Sequence, residues 1–211
     1  MRNHSRRSVI FSTLVVGILG RALAAPVPVR ITMLGDSITA GYGLLAGQAV
    51  PARLEAELNR LGVPAQVTAA GVSGDTTAAG LQRVDFSVRS TTQLCIIALG
   101  GNDLLQGLDP KAMQRNLAAI LAHLKARKIP AMLVGIAAPS IIGAGFARDF
   151  NAVFPAVSKA ARVPLYANIL APVEGHPDLI QDDGIHPNAA GALRVAQRMA
   201  PAVVQALKAR R

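Results

Sequence analysis

Ser37 lies at a position where a serine side chain can act as a nucleophile. It belongs to Gly35-Asp36-Ser37-Ile38-Thr39, which follows Val29 to Leu34, an apolar run with the composition of a buried strand. Several glycines follow Ser37, and open α/β sheets bind their ligands at such strand ends. A serine in a glycine-rich turn is also an ordinary cap or turn residue, so this segment alone leaves both interpretations open.

A histidine and an aspartate near the end of the chain are spaced like a base and the carboxylate that orients it. Asp183 and His186 lie in Asp182-Asp183-Gly184-Ile185-His186-Pro187. This spacing allows both side chains to lie on one side of a turn, with Asp183 accepting from Nδ1 and Nε2 directed toward Ser37. A serine needs such a base because the pKa of its own hydroxyl is far above neutral. The alternative is a loop histidine capped by a nearby aspartate.

Two other predicted strand ends carry hydrogen-bond donors. Asn102 follows Gly100-Gly101, and Gly74 lies in Ser73-Gly74-Asp75-Thr76. The Asn102 amide and the backbone N–H groups of Ser37 and Gly74 can stabilise negative charge on a carbonyl oxygen, which is usually the largest catalytic term. The alternative for Gly-Gly-Asn-Asp is a tight turn.

Other chemistries find less support in the sequence. The G-x-S-x-G elbow, the phosphate-binding G-x-x-x-x-G-K-[ST] loop and the dinucleotide-binding G-x-G-x-x-G motif are all absent. Asp182, Asp183 and His186 lack a second ligand cluster, so we expect no metal site and no cofactor. The only cysteine, Cys95, lies in an apolar run and is predicted to be a buried, inert thiol.

Strand-like and helix-like segments alternate along the chain, which predicts a three-layer α/β fold of the flavodoxin type with a five-stranded parallel sheet. The predicted strands are Val29 to Leu34, Ala65 to Ala70, Leu94 to Leu99, Ala131 to Ile136 and Val163 to Tyr166. The predicted helices begin near Gln48 and near Thr77, and span Pro110 to Lys128, Ala147 to Ala161 and Asn188 to Leu207. Because parallel strands end at one edge, we expect Ser37, Gly74, Asn102 and His186 to meet there.

Residues 1–25 have the pattern of a signal peptide, with arginines before an apolar stretch and Ala22-Leu23-Ala24 matching an A-x-A cleavage site. Ser5-Arg6-Arg7 also fits the twin-arginine pattern loosely, so Sec and Tat export both stay open, and an uncleaved membrane anchor is the alternative. We expect a periplasmic or secreted protein whose residues 26–211 form a single domain and a monomer.

The net charge is +10 over 211 residues, and loss of four arginines with residues 1–25 leaves +6. No dense Lys/Arg run with interleaved aromatic residues is present, and aromatic residues make up only 3% of the chain. We therefore expect no nucleic-acid partner, although weak contact with an anionic membrane surface stays open.

The four polar segments together resemble the four sequence blocks of the SGNH, or GDSL-type, hydrolases, and they occur in family order. The resemblance implies that Ser37 is the nucleophile and that Asp183 and His186 complete a triad. It also implies an oxyanion hole formed by Ser37, Gly74 and Asn102. The chain is most similar to the small bacterial periplasmic thioesterase, arylesterase and lysophospholipase group.

This resemblance implies an exported serine esterase that cleaves acyl or aryl esters through an acyl-enzyme, with thioesters and lysophospholipids as further candidate substrates. The group often has Pro…Asn-Tyr-Gly after the fourth strand, whereas this chain reads Pro139-Ser140-Ile141-Ile142-Gly143. On the predicted fold, apolar loop residues line the substrate pocket: Leu44, Leu45, Ile141 and Ile142. Such residues favour an acyl or aryl group over a sugar. The alternatives are a carbohydrate O-acetyl esterase, a non-catalytic α/β binding protein, and a basic lipid- or nucleic-acid-binding module.

Overall fold

A computed structural model describes residues 26–209, so the predicted signal peptide lies outside the described part of the chain. Five parallel strands form one sheet in the order β2-β1-β3-β4-β5. The strands are β1 (Val29–Gly35), β2 (Ala65–Gly71), β3 (Leu94–Ala98), β4 (Ala131–Val134) and β5 (Leu165–Tyr166). This is the flavodoxin-like strand order, and the predicted fold class is confirmed.

Helices connect the strands and cover both faces of the sheet. They are α1 (Ser37–Ala40), α2 (Val50–Arg60), α3 (Thr77–Ser87), α4 (Gly101–Leu105), α5 (Pro110–Ala126), α6 (Ala144–Ala161) and α7 (Ala189–Ala209). Short 3₁₀ turns occur at Ala46–Gln48, Ser140–Ile142 and Pro177–Leu179. Within residues 26–209, no helix combines the length and apolar character needed to cross a membrane.

The alternation of side chains along the central strands divides the core into two layers. In β1, Ile31 and Met33 face the layer under α2 and α7, whereas Leu34 faces the layer under α3, α5 and α6. In β3, Ile96 belongs to the first layer and Cys95 to the second. Both strands are thus covered on both faces, which is why they read as continuous apolar runs.

Burial raises the pKa of the Cys95 thiol to about 12, and its side chain has no exposed surface. The thiolate, which is the reactive form of cysteine, is therefore strongly disfavoured in the folded protein. This agrees with the interpretation of Cys95 as an inert core residue.

The fourth and fifth strands are shorter than the sequence predicts. After Val134 the chain leaves the sheet. The Gly135 N–H donates to Tyr166 O, which is the last contact with β5, and the Gly135 carbonyl accepts from Ile169 N in the loop after β5. A β-carbon at Gly135 would lie 2.4 Å from Ala167 O, so only glycine allows this close approach. Helix α6 begins at Ala144, three residues before its predicted start, directly after Gly143 with its φ of 117°.

The first two strands end in tight backbone contact with α1. A β-carbon added to Gly71 at the end of β2 would lie 2.2 Å from the Ala40 backbone nitrogen and 2.7 Å from Asp36 O. Glycine at this position therefore lets α1 pack directly against the sheet edge, which fixes the segment that carries Ser37.

Candidate active site

Ser37 occupies the first position of α1, immediately after β1. Asp36 caps this short helix by accepting a hydrogen bond from the Ile38 N–H at 3.1 Å, and Gly41 ends it in the left-handed conformation. The Ser37 Oγ lies 2.7 Å from Nε2 of His186, which is 149 residues later in the chain. The fold thus brings together the serine and the histidine that the sequence predicts to interact.

Asp183 holds the His186 ring by its other nitrogen. The Asp183 Oδ2 lies 2.6 Å from His186 Nδ1, while Oδ1 accepts from the backbone N–H groups of Ile185 at 2.9 Å and His186 at 3.0 Å. The His186 N–H, the Ile185 N–H and the His186 side chain together lower the pKa of the Asp183 carboxyl to about 2. Because an ionised carboxylate only accepts, Nδ1 carries the proton and Nε2 is free to accept from Ser37.

The loop that carries His186 is fixed to the loop after α1. Ile180 and Pro187 form an antiparallel bridge, and Gln181 donates its side-chain amide to Tyr42 O at 2.8 Å and to Pro187 O at 3.0 Å. The Tyr42 ring lies 4.8 Å from the His186 ring, centroid to centroid. These contacts restrict where the imidazole can lie relative to Ser37.

The predicted oxyanion donors lie at three strand ends. Asn102 lies in the first turn of α4, and its side-chain amide donates to Asp75 O at 2.9 Å, which links it to the loop of Gly74. Gly74 has a φ of 88°, and nothing lies within 4 Å of where its β-carbon would be. The N–H groups of Ser37 and Gly74 have no hydrogen-bond acceptor among residues 26–209. Both donors are therefore available to a ligand.

Arg83 connects the ends of the first two strands to the Gly74 loop. Its Nη2 donates to Gly35 O at 2.8 Å, its Nη1 to Ala70 O at 2.9 Å, and its Nε to Asp75 Oδ2 at 2.5 Å. Only 18% of the Arg83 side chain is exposed. A planar guanidinium can make these contacts in three directions at once, which makes Arg83 a positioning residue for this edge.

Asp103 fixes the loop between β3 and α5 to the N-terminus of α3. Its buried carboxylate accepts from the Thr77 N–H at 2.8 Å and from the Thr77 hydroxyl at 2.6 Å, and the Asn116 amide donates to the same hydroxyl at 3.1 Å. Asp103 directly follows Asn102, so this network sets the position of the Asn102 amide.

A cavity of about 280 Å³ contains Ser37, His186 and Asn102 in its wall. Its other lining residues are largely apolar: Ile38, Leu104, Leu105, Ile136, Ala137, Pro139, Leu170 and Ile185, with Asp36, Gly101 and Gly184. The four residues predicted to form the substrate pocket do not line it. Leu44 packs against the core beside Ser37, whereas Leu45, Ile141 and Ile142 are exposed.

Asp36 is a buried carboxyl in the wall of this cavity. Burial raises its pKa from an ordinary 3.8 to about 6, partly offset by the hydrogen bond from Ile38 N–H and by the charge of His186. Asp75 adds a small upward contribution. Its second oxygen lies near Gly101, where a β-carbon would approach Asp36 Oδ2 to 3.0 Å. The cavity wall thus contains a titratable group beside Ser37.

Comparison with known proteins places this arrangement in a family. The model of the GDSL-like Lipase/Acylhydrolase family matches residues 33–194, a span that includes Ser37, Gly74, Asn102, Asp183 and His186. The chain belongs to the GDSL-like lipase/acylhydrolase family. The resemblance predicted from the sequence is therefore confirmed.

Relatives of this GDSL-family chain include named esterases and thioesterases. The Escherichia coli (strain K12) protein "Thioesterase 1/protease 1/lysophospholipase L1" is 35% identical over 169 residues, 80% of this chain and 78% of that protein. "Esterase TesA" of Pseudomonas aeruginosa is 34% identical over 172 residues, 81% of this chain and 86% of that protein. The crystal structure of AlinE4, an SGNH-hydrolase family esterase, has a TM-score of 0.73 at 43% identity and covers 87% of this chain and 99% of its own.

No sequence motif marks Tyr42, Arg83 or Gln181 of this GDSL-family chain as part of the site. Arg83 lies within an amphipathic helix, where an arginine usually faces solvent, and no sequence signal marks its inward contacts. Within the described residues, no group of three or more His, Cys, Asp or Glu side chains is arranged to hold a metal ion.

Proposed function

We propose that this protein is an esterase that cleaves carboxylic esters through an acyl-enzyme on Ser37. The observation that carries the proposal is the continuous chain of contacts from Ser37 Oγ to His186 Nε2 at 2.7 Å and from His186 Nδ1 to Asp183 Oδ2 at 2.6 Å. Family membership and the names of the relatives support the same reaction class.

In the proposed first step, Ser37 Oγ attacks the acyl carbon while its proton moves to His186 Nε2. The resulting tetrahedral oxyanion collapses, the bond to the alcohol or thiol breaks, and His186 returns the proton to the leaving group. Asp183 stays ionised and stabilises the imidazolium. Water then attacks the acyl-enzyme with His186 as the base, which releases the carboxylic acid and restores Ser37.

We propose that Ser37 N–H, Gly74 N–H and the Asn102 amide stabilise the oxyanion. The two backbone donors lack acceptors among residues 26–209, and one Asn102 amide hydrogen is held by Asp75 O while the other is free to bond. Donors that are fixed before the reaction need little reorganisation as the charge develops.

The proposed substrates are acyl or aryl esters, with thioesters and lysophospholipids as related candidates. The cavity beside Ser37 presents apolar side chains such as Leu104, Ile136 and Leu170, which suit a hydrocarbon group. A carbohydrate O-acetyl esterase is the second candidate, and the polar Asp36 in the same wall is the observation that favours it. The signal-like pattern of residues 1–25 supports the further proposal that the protein is exported. We also propose that it acts as a monomer.

Hydrolysis of p-nitrophenyl esters from acetate to palmitate tests the proposal. We expect turnover by the purified protein and a loss of at least about 10³-fold in kcat for Ser37→Ala. The matched control is Ser90→Ala, which alters an exposed serine in the loop between α3 and β3 and leaves kcat unchanged. A preference for medium or long chains supports an acyl esterase, and a strict preference for acetate supports the acetyl esterase. Equal rates for Ser37→Ala and the unaltered protein would refute the nucleophile assignment.

A further inference from the structure

The charged residues of this chain are segregated between the two edges of the sheet. Five loops, here called the active-edge loops, follow the C-terminal ends of the strands: residues 36–49, 72–76, 99–109, 135–143 and 167–188. They contain no lysine or arginine, although they hold eight of the chain's twelve acidic residues. An ester that enters the site therefore approaches an edge whose loops carry only negative formal charge.

The opposite edge of the sheet is basic. Helices that follow parallel strands run back across the sheet, so their C-terminal ends lie at this second edge. The basic residues there are Arg30, Arg60, Arg89, Lys125, Arg127, Lys128, Lys159, Arg162 and Lys208. Two acidic residues lie nearby, and each is paired: Glu57 with Arg60, and Asp85 with Arg127 and His123.

The lysine and arginine residues near the active-edge loops in sequence lie outside the cavity beside Ser37, and these include Arg53 in α2 and Arg194 in α7. Arg83 is held by Asp75 and by strand carbonyls, and Arg148 pairs with Asp149. Lys111 lies in the first turn of α5. Among residues 26–209, no lysine or arginine lines the cavity beside Ser37 or the neighbouring cavity of about 460 Å³.

The two cavities share one wall, which indicates where a leaving group extends. Leu170, Gly184 and Ile185 border both, and the second cavity also contains Glu174 and Asp182. A large alcohol or thiol that crosses this wall from Ser37 meets two carboxylates and the His176 imidazole, but no lysine or arginine. Lysine and arginine form strong charge-assisted hydrogen bonds to phosphate, so the phosphates of a nucleotide-bearing carrier lack these partners here.

We propose that this site accepts esters or thioesters of uncharged alcohols and thiols and discriminates against polyanionic acyl carriers such as acyl-coenzyme A. The inference rests on the proposed ester hydrolysis and narrows its substrate class. Although the chain as a whole is positive, its basic edge attracts polyanions to the side of the sheet opposite Ser37. The negative charge of the active-edge loops therefore disfavours productive binding of a polyanionic substrate at Ser37. Added salt weakens this effect because it screens the charges.

The test compares two thioesters that share one acyl group, octanoyl-coenzyme A and the uncharged octanoyl-N-acetylcysteamine. At low ionic strength we expect kcat/KM to be at least about tenfold higher for the uncharged thioester, with the difference mainly in KM. The ratio falls toward one as salt is added. Phenyl octanoate and its disulfonated analogue give the same comparison for oxyesters, so the result does not depend on thioester cleavage.

Two variants that add the same charge at opposite edges sharpen the test. Asp182→Lys places a cation in the cavity next to the site and is expected to raise the ratio of kcat/KM for octanoyl-coenzyme A to kcat/KM for octanoyl-N-acetylcysteamine at least about threefold. Asp85→Lys adds the same charge at the basic edge and is expected to leave the ratio unchanged.

Equal kcat/KM values for the charged and uncharged substrates at low salt would overturn this inference while leaving ester hydrolysis intact. An equal effect of Asp182→Lys and Asp85→Lys would overturn it as well, because the charge of the active edge would then have no special effect. Absence of turnover with every substrate would instead refute the proposed function, and this inference with it.

Discussion

Replacing Asp36 by asparagine is expected to change how the stability of the protein depends on pH. Burial raises the pKa of this carboxyl from 3.8 to about 6, and only 5% of the residue is exposed. Between pH 3.8 and about pH 6, Asp36 is therefore protonated in the folded state and ionised in the unfolded state. The free energy of unfolding therefore falls as pH rises from below 3.8 to above 6, because the folded protein must then ionise a buried acid.

The size of this effect follows from the shift in the pKa. Each pKa unit corresponds to about 1.36 kcal/mol, so ionising Asp36 in the folded state costs about 3 kcal/mol in full, of which about 2.4 kcal/mol falls between pH 4 and pH 7. Asp36→Asn removes the titration and keeps an oxygen that can accept from the Ile38 N–H. We expect the free energy of unfolding of the variant, measured relative to that of the unaltered protein, to rise by about 2 kcal/mol between pH 4 and pH 7.

Urea unfolding at pH 4 and at pH 7 measures this difference. The control is Ser90→Ala, which changes an exposed side chain that does not titrate in this pH range. The variant-minus-parent difference in the free energy of unfolding is expected to depend on pH for Asp36→Asn and to be independent of pH for Ser90→Ala. A difference for Asp36→Asn that is the same at both pH values would refute the argument from burial.

Further perturbations test the positioning of the site and the core. Gly71→Ala is expected to lower the free energy of unfolding in urea by about 1–3 kcal/mol, because the added β-carbon meets the Ala40 backbone. Gly47→Ala is expected to be nearly neutral, because the added β-carbon enters open space. Arg83→Lys is expected to lower kcat about tenfold with little change in KM or in far-UV circular dichroism; an unchanged kcat would refute its positioning role. Cys95 is expected to react with iodoacetamide only after unfolding, and rapid alkylation of the native protein would contradict its burial.

The sheet was predictable because its signals are local and repeated. The apolar runs at Ile31 to Leu34 and Leu94 to Leu99 mark strands buried on both faces, and a polar or glycine-rich turn follows each. Since parallel strands end at a common edge, the turn after β1 and the loop after β5 bring Ser37 and His186 to the same edge. The sequence does not encode their 2.7 Å separation in the same direct way, because that distance depends on how the loop before α7 packs against Tyr42.

The residues of the cavity wall were less predictable than the arrangement of Ser37, His186 and Asp183. A loop has no period of 2 or 3.6 residues, so apolar character alone does not show which way its side chains face. Ile141 lies in a 3₁₀ turn and is 92% exposed, whereas Ile136 and Leu170, which were not proposed, line the cavity. The structure depends here on tertiary hydrogen bonds, such as the pair between Asn151 and the Ala138 backbone that holds the loop after β4.

Covalent labelling tests most directly whether Ser37 is the nucleophile of this protein. The purified protein is treated with a reactive alkyl phosphonate that carries a leaving group, and the modified residue is located by peptide mass spectrometry. We expect one phosphonyl group per chain, located on Ser37, and a loss of ester hydrolysis in proportion to labelling. His186→Ala is expected to react much more slowly, because the serine then lacks the base at Nε2. Modification at another residue, or full inhibition while Ser37 stays unmodified, would contradict the account.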